Sequence, residues 1–180
     1  MDNLIRTKAR DIRKDTSGVA AIEFAPIAVI LIYALLNVTD VSFFLYDKAQ
    51  VEEATQMGAQ AAWRACNGSL PATVNCAGLN AAVTNAVQST SLSTSVAVKT
   101  GSPSEGYYCA SSTGTLQLVG SVSSSEPASC SAAGVASTTP ADYVKIQTTY
   151  SYTPLLTDLS IGSLLPTSIT STAWERLGDQ

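Results

Sequence analysis

The sequence predicts an α+β chain. One long N-terminal helix, transmembrane in its first part and a stem in its second, precedes a small antiparallel β-rich outer domain with one short helix. Three observations predict it. Lys and Arg cluster ahead of Ser17, and the run from Val19 to Tyr46 behind them is almost free of charge. All four cysteines lie beyond that run. Alternation of core-type and polar residues with a period of two, the mark of a half-buried strand, is clearest near the C-terminal end, from Asp142 to Tyr152.

The head, residues 1–18, carries Arg6, Lys8, Arg10, Arg13 and Lys14 against Asp2, Asp11 and Asp15. Positive flanks stay on the cytoplasmic side, so the C-terminus is expected outward. An ordinary secretory signal has an apolar core of about 7–15 residues and then a small-residue cleavage site. Here the apolar run is longer, and Asn37-Val38-Thr39-Asp40 offers no such site.

Residues 19–46 read as the transmembrane helix. From Val19 to Leu36 the only ionisable side chains are Glu23 and Tyr33, while Ile27, Val29, Ile30, Leu31, Ile32, Leu35 and Leu36 supply the apolar body. A span needs roughly 20 such residues, which places Asn37 and Asp40 at or beyond the outer interface. A carboxylate inside a span costs about 2.5–3.5 kcal/mol on insertion scales, which marks Glu23 as a functional candidate. The alternative is that Glu23 reaches water at the inner interface. Pro26 removes one helical hydrogen bond and is expected to kink the span, a defect that membrane helices tolerate.

Residues 47–65 continue the helix as a stem. Val51, Ala54, Gly58, Ala61, Ala62 and Ala65 recur at helical spacing, with Glu52, Glu53, Gln56 and Gln60 mostly elsewhere. This shallow face suits either a sister helix, because small residues allow close approach, or the chain's own outer domain.

Residues 66–180 form the outer domain. Asn67-Gly68 and Pro71 break the stem. Ala77 to Val87 reads as the short helix. Leu92 to Lys99, Thr115 to Val122, Asp142 to Tyr152 and Thr167 to Arg176 read as strands, with Tyr107 to Ala110 a candidate fifth. Val144, Ile146, Thr148, Tyr150 and Tyr152 share one face of theirs. Leu155, Leu156, Leu159, Ile161, Leu164 and Leu165 form an apolar connection, read as a flap over the core in preference to a contact surface.

Cys66, Cys76, Cys109 and Cys130 allow three disulfide pairings, and an even count beyond an outward-pointing span implies an oxidising compartment. Pairing neighbours, Cys66 with Cys76 and Cys109 with Cys130, closes two short loops and is the favoured hypothesis. No Cys-x-x-Cys spacing occurs and the chain has no histidine, so no metal site is expected. Lack of histidine also removes Ser-His-Asp and Cys-His chemistry. No phosphate-binding glycine loop is present. Glu105, Glu126, Asp142, Asp158 and Glu175 read as scattered surface acids. No cofactor and no catalytic residue are expected, and without a basic face beyond the head no nucleic acid is expected as a partner.

The segment Gly18-Val19-Ala20-Ala21-Ile22-Glu23-Phe24-Ala25-Pro26, behind a basic head, resembles a type IV prepilin cleavage site. More narrowly it resembles the TadE-like pseudopilins, the minor pilins of tight-adherence (Tad/Flp) pilus systems. Glu52-Glu53-Ala54, Gly58-Ala59-Gln60-Ala61-Ala62 and the stretches Asp142 to Thr157 and Thr167 to Arg176 share in the likeness, whereas Cys66 to Pro140 does not. The resemblance implies a structural protein rather than an enzyme. It implies cleavage by a prepilin peptidase between Gly18 and Val19, with Glu23 and Phe24 as the fifth and sixth mature residues. It further implies that Glu23 pairs with the new amine of a neighbouring subunit. The implied partners are that peptidase, other pilins, assembly-platform proteins and membrane lipid. The implied location is the bacterial inner membrane as a single pass, with a cytoplasmic N-terminus, a periplasmic outer domain and an extracellular pilus as a final destination. The alternative is an uncleaved bitopic anchor presenting an outer binding domain.

Overall fold

A computed structural model of the protein describes residues 17–66, 68–135, 137–155 and 161–178. No glycine interrupts the chain between Gly18 and Gly58, and alanine is frequent, so a single helix forms there. This helix, α1, runs Ser17–Cys66 through Pro26. Ahead of Pro71 it stops, and the Ser69 amide closes its end on the Cys66 carbonyl at 2.9 Å. Two shorter helices follow, α2 (Ala72–Asn75) and α3 (Leu79–Val87). The first of these was not anticipated, and the second begins two residues later than Ala77.

Five strands form one antiparallel sheet: β1 (Val96–Val98), β2 (Ser104–Ala110), β3 (Leu116–Ser121), β4 (Ala141–Ser151) and β5 (Ser168–Arg176). The β4 strand is its axis. It pairs with β5 from Tyr143↔Arg176 to Ser151↔Ser168, with β2 over residues 141–145, and with β1 over residues 148–150. The β3 strand pairs with β2 through a tight turn, where Gly114 takes a positive φ of 78°. The expected strand Leu92 to Lys99 is shortened, because Ser93–Ser95 winds into a 3₁₀ turn. The candidate fifth strand instead gains three residues, starting at Ser104.

The chain divides into two compact units, Met1–Ser42 with Pro154–Leu164, and Phe43–Thr153 with Leu165–Gln180. In the second unit the stem of α1 packs on its own domain. Val51, Ala54 and Ala62 are fully buried, with Leu79, Val83 and Val87 of α3 and Val96, Val144, Ile146 and Ile169 of the sheet in the same core. The buried face of β4 is the alternating set read from the sequence: Val144, Ile146 and Thr148 are 0% exposed. Thr148 is accommodated by Thr55, whose hydroxyl lies 2.6 Å away. The Thr55 hydroxyl itself donates to the Val51 carbonyl at 2.6 Å, so Thr148 is the donor within the pair. On the other face of the sheet, Tyr108 packs edge-on against Trp174 at 4.8 Å, and Lys145 Nζ lies 5.4 Å from the Trp174 ring centre.

The apolar connection, read from the sequence as a flap, belongs from Pro154 to Leu164 to the first unit. Its described leucine and isoleucine side chains short of Leu165 are exposed: Leu155 at 65%, Ile161 at 47% and Leu164 at 84%. Only Leu165 packs against the core of the second unit. Leu156 and Leu159 lie outside the described residues. The cause is visible in the polar groups: backbone amides of the connection bond to side chains of α1 within the first unit, as described below.

Candidate functional site

Among the described residues, one helix is long and apolar enough to cross a membrane. In its N-terminal part the large apolar side chains are mostly exposed. Ile22, Phe24, Ile27, Val29, Ile30, Leu31, Ile32 and Leu35 are each more than half exposed. An exposed apolar stretch of this length marks a candidate membrane span.

The predicted processing residues sit together at the start of that helix. Gly18 and Val19 fall in the first turn of α1, where helix ends fray. Glu23 and Phe24 follow along the same helix and are exposed. One turn and a half separates Glu23 from Gly18, the spacing that the sequence reading uses.

Further along α1, every polar side chain from Asn37 to Ser42 has a partner. Thr39 Oγ1 donates to the Leu35 carbonyl at 2.9 Å, and Ser42 Oγ to the Val38 carbonyl at 2.7 Å. Asn37 Nδ2 donates to the Tyr33 carbonyl at 2.7 Å, while Asn37 Oδ1 accepts the Ile161 amide at 2.7 Å. Asp40 Oδ1 accepts the Leu155 amide at 2.9 Å. Asn37 is 8% exposed and Asp40 0%. Span length alone places both residues at or beyond the outer interface. Their spacing of three, which places them on one helix face, was the available signal that they receive another segment.

The cysteines form two disulfides, Cys66–Cys76 and Cys109–Cys130, and no described cysteine is free. The first ties the end of α1 to the residue after α2. The second holds the β2 strand to the loop before β4, with Ala133, Val119 and Val135 packed about it. In the chain-entropy model each is worth roughly 3 kcal/mol.

Glu105, Glu126 and Asp142 are not scattered, which corrects the sequence reading. The register Glu105↔Val144 and Tyr107↔Asp142 sets Glu105 diagonally beside Asp142 on adjacent strands. Glu105 accepts the amides of Ala72 and Thr73, each at 2.7 Å, and the Thr73 hydroxyl at 2.5 Å, and so fixes the disulfide loop to the sheet. Asp142 is pushed up to about 7 by burial, by the charge of Glu105 and a hydrogen bond with it, and by the charge of Glu126. Burial and the same three acids raise the Tyr107 phenol. Burial and Asp47 raise Tyr150, whose hydroxyl donates to Asp47 Oδ2 at 3.2 Å. Glu175 lies elsewhere, lining an open groove between β5 and the stem. Asp158 lies outside the described residues. Among the described residues no group of three or more His, Cys, Asp or Glu side chains is arranged to hold a metal ion. Of the three acids, Glu105 is the one whose bonds reach the disulfide loop.

The fold and the exposed helix thus define a class, an α+β protein with a candidate membrane anchor. The family model described as TadE-like protein matches residues 18–60. That match begins at Gly18 and ends in the buried stem, so the resemblance read from the residues is shown for about a quarter of the chain. Neither the curated proteins nor the solved structures contain a match to the chain.

Proposed function

We propose that this chain is a minor pilin of a tight-adherence pilus, anchored by α1, cleaved after Gly18 and used in assembling or priming the filament that attaches cells to surfaces. The observation that carries this reading is the coincidence of three features in one helix. The TadE-like match over residues 18–60 covers the exposed apolar stretch and the motif Gly18-Val19 with Glu23 and Phe24. Its partners are then a prepilin peptidase, other pilins, the assembly platform and lipid. The outer unit lies in the periplasm, where the two disulfides persist.

On this reading Glu23 has one task. Cleavage creates an amine at Val19, and the amine of one subunit offsets the Glu23 carboxylate of its neighbour. Removing one partner of such a buried pair costs about 3–5 kcal/mol, so the pair sets register between subunits. Glu23→Gln is expected to insert and to be cleaved, yet to co-purify poorly with its pilin partners at equal membrane abundance. Normal association and normal piliation of the variant overturn the pairing.

A further inference from the structure

The described residues of the connection that joins β4 to β5 carry exposed apolar side chains, and two of their amides are held by α1. Leu155 and Ile161 donate their amides to Asp40 Oδ1 and Asn37 Oδ1. Their side chains and that of Leu164 nonetheless stay exposed, Leu164 the most at 84%. In water this arrangement gains nothing, since leucines there remain solvated and bring no burial. In lipid it solves a problem. Non-helical backbone survives at membrane depth only where its polar groups find partners in the protein. Asn37 and Asp40 are those partners, and both are buried.

The depth fits as well. From Ile22 to Asp40 the helix rises about 27 Å at 1.5 Å per residue, close to the roughly 30 Å of a hydrocarbon core. Asn37 and Asp40 therefore fall near its outer boundary. The apolar band of α1 continues to that level through Leu35, Leu36 and Val38, all exposed. The connection belongs to the same compact unit as this band.

We propose that the segment around Leu155 and Ile161–Leu164 is a lipid-contacting collar. It lies at the outer boundary of the bilayer beside the span, with Leu155, Ile161 and Leu164 in the acyl region and Asn37 and Asp40 holding its backbone. The proposal rests on the membrane-anchor reading of α1. It gives the chain a second membrane contact, held to α1 across sequence separations of 115 and 124 residues.

Single cysteines at Leu164, Leu35 and Leu118 allow a test in the full chain, because no described native cysteine is free to compete for label. Each is coupled to an environment-sensitive NBD dye. The proteins are reconstituted at low density in phosphatidylcholine–phosphatidylglycerol vesicles, with and without doxyl-labelled acyl chains. Leu118 is an exposed position on β3 and serves as the aqueous reference, and Leu35 is the reference within the span. The dye at Leu164 is expected to emit to the blue of that at Leu118 and to lose most of its intensity to the doxyl lipids, as at Leu35. Emission and quenching at Leu164 equal to those at Leu118, with Leu35 quenched, overturn the collar and leave the anchor standing. An unquenched Leu35 overturns the anchor and the collar together. In the Asn37→Leu, Asp40→Leu background the Leu164 dye is expected to shift to the red and escape quenching while Leu35 stays quenched. Persistence of quenching at Leu164 there overturns the role given to the two polar residues.

Discussion

Gly58 tests whether the small-residue face of the stem packs on the chain's own domain. At an exposed position in a helix, Gly→Ala stabilises by about 1 kcal/mol, because alanine has less backbone freedom to lose. At Gly58 a Cβ would stand 2.8 Å from Val87 Cγ2, 3.4 Å from Ile146 Cγ2 and 3.5 Å from Val83 Cγ1. The nearest of these is a methyl on a stiff β-branched side chain inside α3, so it yields only if α3 shifts. Overpacking of this kind costs about 1–3 kcal/mol. The clash exceeds the propensity gain, and Gly58→Ala is expected to destabilise by about 1 kcal/mol net. Urea unfolding of the full chain in detergent micelles, followed by tryptophan fluorescence, measures it. The sign is then expected to reverse in a Val87→Ala background, where the methyl is gone and only the helix gain remains. A stabilising Gly58→Ala in the wild-type background would refute the packing, and would return the stem face to the pool of surfaces available to a sister helix.

Two further outcomes follow from polar groups in the same unit. Thr148 donates to Thr55, and Thr55 donates to Val51. Thr55→Val therefore leaves a buried donor without an acceptor and is expected to cost about 1–3 kcal/mol, whereas Thr148→Val leaves Thr55 satisfied and costs less; equal costs in urea melts would contradict the assigned direction. For Asp142, a folded pKa of about 7 against an ordinary 3.8 means that the folded chain holds a proton the unfolded chain has released. Stability from this group is fully present below about pH 4 and is lost as pH rises through about 7. At full burial the gap would amount to about 4 kcal/mol, but Asp142 is half-buried and solvent screening reduces the expectation to about 1–2 kcal/mol. Asp142→Asn is expected to raise the melting temperature at pH 8, change it little at pH 4, and flatten the slope between; an unchanged slope would assign it to other groups.

Much of the fold was legible because its signals were local. The helix needed only an uninterrupted apolar and alanine-rich run, and the β4 strand only the alternation of Val144, Ile146 and Thr148. The β5 strand followed from the same pattern. What escaped depends on pairs distant in sequence. The α2 turn has four residues, too few for a periodic signal, and part of what holds it is Glu105, which accepts the Ala72 amide across a sequence separation of 33. Glu105 and Asp142 meet only because of the β2–β4 register, which no single-strand pattern states. The connection was read as a flap because apolar residues usually cover a core. Its described leucines short of Leu165 are exposed, while the Leu155 and Ile161 amides bond to Asp40 and Asn37, two polar residues that hydropathy alone places at or beyond the outer interface.

The spacing of Gly18 and Glu23 is readable in the sequence, and the TadE-like match begins at that glycine. Intact mass spectrometry of the chain from native, peptidase-positive membranes tests the proposed function most directly. The account predicts a mass that begins at Val19, with residues 1–18 removed. A mass that retains those residues would contradict it and favour an uncleaved anchor that presents its outer unit without entering a pilus.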